Sequence, residues 1–431
     1  MRKRFGILSS YNTQCGNASY THVLIREFSK HCDTEVIPVN FRLLANAHPH
    51  AKKARQKHIE ELCALIATYD YINIQFESGL FGSSMETAVE NVTPLIKASR
   101  NLTFTIHRIH NPHSVRPLWK TALRNNRRIM QTLREYSQMR QHKSFVTLIN
   151  TITHQNNNGQ PVSIIVHSQR EKGLLNTYYG AQNVVDFPLT FLNHEEIRQQ
   201  KDNRPALRAR VCERYKLDPA DKYIGIFGFL AENKAHHTAV NALRSLPNNY
   251  KLLIFGSQHP MAIGEYDFMP MVKNPALYGR NNNTYISSLV QLAAEINSAS
   301  PGRVRFMGNL NDSDFIDALT AMDFVFLPYF ETGQGGSGNA ALVMEVGAKA
   351  VLANNHAFME FARYYPNCFE FADIGNDVEF AQRVLFWNKD LTENQDRSVA
   401  RYNIENNILV QKKCFEEGSA GAEALKRELI K

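Results

Sequence analysis

The 431-residue chain predicts an α/β fold of two doubly wound domains facing each other across a cleft. Short apolar strands alternate with amphipathic helices through two successive blocks, as in a parallel sheet covered on both faces. Each block opens alike, with a strand running through a loop into a helix: Phe5 to Ser9 leads to Gly16, and Tyr223 to Phe229 leads to Lys234. Between the blocks, from His194 to Asp221, the chain is polar and charged, which puts the domain boundary near residue 200.

The length suffices for two separate cores. With 43% hydrophobic and 21% charged residues, the composition is that of an ordinary soluble globular protein. Six cysteines lie far apart without a CxxC or metal-ligand spacing, which reads as reduced thiols and a cytoplasmic setting. The start, MRKRFGILSSYNTQCG, has too short an apolar run for a signal peptide, and no stretch approaches a membrane span. Charge is concentrated: Arg108 to Lys143 holds nine Lys/Arg and one acid, Glu135, which accounts for the whole net charge of +8.

Taken in order, Phe5–Ser9 is a strand, Tyr11–Ala18 a polar turn with Gly16, and Ser19–Lys30 a helix with Val23, Leu24 and Phe28 on one face. Thr34–Val39 is the second strand. Lys52–Thr68 has helical periodicity and a charged outer face. Asp70–Phe76 is a strand followed by Glu77, and Leu102–Ile106 is a strand followed by His107. Ligands of open α/β sheets bind beyond the carboxyl ends of strands, so Glu77 is a candidate to line a site. A loop acid is as often only solvated, and a strand-end histidine is more often structural.

A long helix is expected from Pro117 to about Gln141, with Arg116, Lys120, Arg124, Arg127 and Arg128 at helical spacing and Trp119 beside them. A charge run is usually a solvated face. The scarcity of acids points instead to an anionic partner: a lipid surface or an acidic glycan, with nucleic acid last because no binding module is present. Gln155–Gln160 reads as a loop, Val162–His167 as the last clear strand of the first domain, and Asn183–Leu189 as a strand end entering the linker.

In the second block, Tyr223–Phe229, Tyr250–Phe255 and Arg303–Met307 are strands. Asp312-Ser313-Asp314 has the form of a DxD metal motif but precedes an apolar run, and it reads as a helix N-cap. The organising stretch is Asp323–Ala353, DFVFLPYFETGQGGSGNAALVMEVGAKAVLA. A buried strand to Leu327 breaks at Pro328. The loop Glu331–Gly338 holds four glycines, and an apolar helix from Asn339 leads to a second apolar strand, Ala350–Ala353. Glycines let backbone approach a ligand, and the helix N-terminus adds about half a positive charge, so the loop is a candidate anion site. Glu345 stands out because a carboxylate in an apolar helix is costly without a partner.

This loop and helix resemble the donor site of retaining glycosyltransferases of family 4, which have the GT-B fold of two Rossmann-like domains. That family carries Glu-x7-Glu here, its second glutamate holding the ribose hydroxyls. Glu345 matches the second glutamate, and Ser337 stands in place of the first, as in a branch with a Gly/Ser-rich loop. The contact to the donor sugar then falls to Glu331 or Gln334. The resemblance continues at Gly16, where the family's first loop faces the donor phosphates, and at His107, beside the donor sugar. It extends to Lys234, which matches a lysine reaching the diphosphate, while Phe229 replaces the accompanying arginine. Arg303–Gly308 matches RVxFxG.

The resemblance implies domains over 1–200 and 201–390, with helices of 391–431 packing back across the cleft. It also implies transfer of a hexosyl unit, with retention, from a nucleotide diphosphate sugar to a glycan or lipid-linked acceptor. That chemistry belongs to surface polysaccharide or glycoconjugate synthesis. Lys234 and the amides of Gly336, Ser337, Gly338 and Asn339 would stabilise the leaving diphosphate, with no metal and no cofactor beyond the donor. Glu77 would face the sugar and acceptor beside His107. The protein is expected in the cytoplasm, at the inner face of the membrane if the basic stripe docks there. A non-catalytic GT-B partner subunit and a nucleotide-sugar epimerase are the alternatives.

Overall fold

A computed structural model describes residues 2–13, 16–109, 129–258, 280–331 and 335–430. The chain divides into two compact units, Met1–Pro188 with Glu405–Lys431, and Leu189–Ile404. The division therefore falls after Pro188 and not near residue 200. The polar stretch that suggested the later boundary is itself helical, His194–Asp202 and Arg204–Tyr215, and belongs to the second unit.

The first unit holds a six-stranded parallel sheet: β1 (Arg4–Leu8), β2 (Asp33–Val36), β3 (Tyr71–Phe76), β4 (Leu102–Ile106), β5 (Val162–Val166) and β6 (Val184–Asp186), in the order β2-β1-β3-β4-β5-β6. Alternate residues of β3, Ile72, Ile74 and Phe76, enter an apolar core with Phe104, Ile106 and Ile164. The other face of β3 and β4 is unusual in being polar and fully buried. There Asn73, Gln75, Thr103 and Thr105 are all 0% exposed and bond to one another. The helix Ile129–Asn157 runs past the expected loop start at Gln155, and the chain turns at Gly159.

The helix Ile404–Leu429, kinked at Gly418, packs with the first unit, whereas Thr392–Arg401 belongs to the second. Its anchor is a buried charge cluster. Asp186, 2% exposed, receives Lys426 Nζ at 2.7 Å and Lys172 Nζ at 3.3 Å, and Lys172 also reaches Glu423 at 2.6 Å.

The second unit's parallel sheet comprises β7 (Lys222–Phe227), β8 (Tyr250–Phe255), β9 (Val304–Gly308), β10 (Phe324–Leu327), β11 (Ala350–Ala353) and β12 (Glu370–Ala372), ordered β12-β11-β10-β7-β8-β9. Numbered within the unit, this is the 3-2-1-4-5-6 dinucleotide-binding order. The DxD-like stretch is helical as expected. Asn311 is the N-cap, its side chain accepting from the Asp314 amide, and Asp314 pairs with Arg214.

Candidate functional site

In a doubly wound sheet the binding crevice lies where strand order reverses. In the second unit that point is between β7 and β10, and the loops leaving these strands are the Lys234 loop and the glycine-rich loop. The two loops are tied together. The Asn339 side-chain Nδ2 donates to the Phe227 carbonyl at 2.7 Å and to the Tyr329 hydroxyl at 2.8 Å, and Phe330 N–H donates to the Asn233 carbonyl. Lys234 Nζ stands 3.7 Å from the centre of the Tyr329 ring, a cation–π contact that holds the ammonium in place. Ala235, next in the chain, is left-handed at φ 49°, backbone strain of the kind that gathers at binding loops. The neighbouring loop after β8 comes equally close. A Cβ on Gly256 would lie 1.8 Å from the Gly228 carbonyl oxygen, so only glycine fits.

The helix Gly338–Glu345 starts at the same place. Ser337 caps it by accepting from the Ala340 amide, leaving first-turn amides of Gly338 and Asn339 for a ligand. Gly336 lies half-buried just before the cap. Phe229 is half-buried and brings no charge to the loop. Gln334 lies outside the described residues, as do Arg116, Lys120, Arg124, Arg127 and Arg128 of the basic stripe.

The two acids of this region have other work. Glu345, 1% exposed, accepts from the backbone amides of Phe191 at 2.8 Å and Leu192 at 3.3 Å. Its expected partner is therefore the chain where the second unit begins, and its depth leaves it shaping the site from behind. Glu331 accepts from the His356 amide at 2.7 Å, the first amide of the helix His356–Ala362 that Asn355 caps.

In the first unit the order reverses between β1 and β3. Gly16 begins the helix Gly16–Phe28, and the Asn17 side-chain Nδ2 donates to Glu77 Oε2 at 2.7 Å, joining the start of this helix to the loop that follows β3. Glu77 is exposed, well placed to meet a ligand. His107 ends β4 as expected, but both its ring nitrogens are engaged. Nε2 meets Gln75 Oε1 at 2.7 Å, and Nδ1 meets His167 Nε2 at 3.1 Å. His107 as placed thus offers no free nitrogen to a substrate. Gln75, His167, Tyr329 and Asn233 escaped the sequence reading. Only His167 carried a signal, a second strand-end histidine one strand away.

Burial pushes His107 well below the usual 6.5, His167 to about 4 and Glu171, which accepts from the His167 amide, up to about 7. The unfolded histidines take protons below pH 6.5 while the folded ones do not, so stability falls on acidification. Neutral folded Glu171 opposes this between about pH 4.5 and 7. The net expectation is a loss of about 1 kcal/mol per pH unit on average from pH 6.5 to 5 in the first unit, steepest at the acid end. Urea unfolding at several pH values measures it, and flat stability across that window would contradict burial of the pair.

No family model matches the chain, and no curated protein matches it in sequence. Solved structures do match. HepE of Anabaena, in complex with UDP and glucose, aligns at TM-score 0.61 and 13% identity over 96% of this chain and 100% of its own. The sucrose-phosphate synthase of Thermosynechococcus elongatus aligns at 0.63 and 16% over 97% and 100%. The UDP-forming trehalose-phosphate synthase of Burkholderia xenovorans, in complex with glucose-6-phosphate, aligns at 0.60 and 10% over 99% of both chains. HepE and the sucrose-phosphate synthase are GT-B glycosyltransferases. The fold is GT-B. At such identity the GT-B likeness fixes the architecture, two parallel six-stranded sheets with flanking helices, and the chemistry must be argued from the residues. Among the described residues no helix is long and apolar enough to cross a membrane.

Proposed function

We propose that the chain is a retaining, metal-independent hexosyltransferase that uses a nucleotide diphosphate sugar. The observation that carries this is the β7/β10 switch point, where Lys234, held over Tyr329, stands on the loop that Asn339 ties to the N-terminus of the helix Gly338–Glu345. Such a site presents a fixed cation and backbone donors to a diphosphate, the group whose charge grows as the glycosidic bond breaks. Glu77 serves the acceptor from the first unit, and His107 contributes through its held ring. Glu345 and Glu331 act as positioning residues. HepE, whose structure contains UDP and glucose, makes uracil the first donor base to try.

Thermal-shift measurements with UDP-, GDP- and ADP-glucose test the reading, since a ligand at a hundred times its Kd stabilises by about 2.7 kcal/mol. Stabilisation by one of them is expected. No shift with any would overturn the donor assignment. The absence of charge at Phe229, together with the occupation of Glu345 and Glu331 by backbone amides, favours a second reading, a GT-B subunit without turnover. It predicts a shift with no transfer.

The acceptor is a glycan or a lipid-linked sugar of a surface polysaccharide or glycoconjugate, met in the cytoplasm at an anionic membrane surface. The basic run Arg108–Lys143 supports this, because each cation near an anionic leaflet contributes about 1 kcal/mol. Cosedimentation with anionic but not neutral liposomes is expected. It should weaken as salt rises and vanish when Lys120, Arg124 and Arg128 become glutamate. Wild-type protein that ignores anionic liposomes at low salt would make the stripe a solvated face.

A further inference from the structure

Four ring nitrogens of two histidines lie in line between an amide side chain and a backbone carbonyl. His167 Nδ1 faces the Phe187 carbonyl oxygen at 3.3 Å, His167 Nε2 faces His107 Nδ1 at 3.1 Å, and His107 Nε2 faces Gln75 at 2.7 Å. Tyr20, 2% exposed, packs edge-on to both rings at 6.3 Å. Glu171 binds the backbone N–H of His167, not its ring, and is itself influenced by Arg170.

Proton counting fixes the chemistry. A carbonyl oxygen only accepts, so His167 Nδ1 carries a hydrogen. If His167 is neutral its Nε2 is bare, and His107 Nδ1 must donate to it. If His107 is neutral too, its Nε2 is bare and needs a donor. Gln75 supplies one when its amide nitrogen faces the ring, the two ends of an amide being interchangeable by a half-turn. The buried ladder behind accommodates either direction. Asn73 can make the same half-turn, and the hydroxyls of Thr103 and Thr105 donate or accept.

We infer that Gln75 and His167 are positioning residues that hold His107 in its Nδ1–H form and let it take up one proton, at Nε2, by a half-turn of the Gln75 amide. The neutral pair holds two protons, both on Nδ1. A third lands on His107 Nε2, because on His167 Nε2 it would oppose the hydrogen already donated by His107. Gln75 then turns its oxygen to the ring, and no buried group loses a partner in either state. The toggle draws its purpose from the glycosyl-transfer reading, yet the ring nitrogens report it whether or not a sugar moves.

The test is long-range nitrogen–proton NMR of the full chain with ring-labelled histidine, the two resonance sets assigned through His107→Gln and His167→Gln. At pH 8 both residues should show a pyrrole-type Nδ1 and a pyridine-type Nε2, the opposite of the tautomer that free imidazole side chains favour. In Gln75→Glu the carboxylate only accepts, so His107 should be doubly protonated at pH 7, where the wild-type ring is neutral. An Nε2–H tautomer at either histidine of the wild-type protein overturns the toggle, and so does a His107 that stays neutral in folded Gln75→Glu. If that variant fails to fold, the wild-type tautomers alone decide. Failure of the donor thermal shift with the tautomers as expected would remove the transfer reading and leave the toggle standing.

Discussion

Lys234→Ala is expected to lower turnover by about a hundredfold or more, as for removal of one preorganised donor from a developing anion. Lys234 is fixed before substrate arrives, its Nζ 3.7 Å from the Tyr329 ring centre, so little reorganisation accompanies its action. Phe229 occupies the position where the resemblance puts a second cation, so the positive charge of this loop rests on Lys234. Because the diphosphate gains charge as the bond breaks, the loss should fall mainly on kcat and less on KM. Lys234→Arg, which keeps the charge, should retain more activity than alanine. The measurement is steady-state transfer with the donor that gives the thermal shift. Turnover unaltered by the substitution, or turnover that requires added magnesium or manganese, would count against the role.

Asp186→Ala is expected to destabilise the first unit by about 3–5 kcal/mol, the usual result of stripping one partner from a buried ion pair. Asp186 is 2% and Lys426 5% exposed, so neither charge can turn to water when the other is removed. Lys172 keeps Glu423 at 2.6 Å, whereas Lys426 keeps only a longer contact with the same Glu423, at 4.0 Å. The last helix should loosen first, because Lys426 and Glu423 are its side of the cluster. Urea unfolding of the wild-type and variant proteins gives the difference. Combining Asp186→Ala with Lys426→Met should recover most of the loss, as an apolar pair leaves no charge stranded. A loss below about 1 kcal/mol in the single variant would place the cluster with solvated pairs.

Both predictions draw on features that the sequence showed to different degrees. Lys234 was legible because a strand, a loop and a helix are contiguous, and the loop residue before such a helix has few places to go. The helix start near Asn339 was legible for the same reason, and the cap read at Asp312-Ser313-Asp314 lies one residue earlier, at Asn311. Asp186 gave no sign. One acid after two valines looks like any strand end, and its partner Lys426 is far along the chain. The boundary near residue 200 was misplaced because polarity signals solvent, not a change of unit. The exposed faces of His194–Asp202 and Arg204–Tyr215 are polar while Ile197, Leu207 and Val211 pack inward.

Glu345 shows both halves of the matter. Its sequence setting established that a buried carboxylate had to find a donor, since an unpaired charge there is too costly to keep. Which donor it found was decided by the fold, which brings the amides of Phe191 and Leu192 to it from more than 150 residues away. The histidines follow the same rule: strand ends placed His107 and His167 separately, and the pairing of β4 with β5 put their rings in contact. By itself the sequence determined most of the succession of strands and helices and the glycine-bearing loops. All of these depend on periodicity and neighbours along the chain. Only the tertiary structure decided the strand order that sets β10 beside β7, and the partners of Glu345, Glu331 and His107. Contacts between residues remote in sequence are chosen by the packing of whole sheets and leave no local trace.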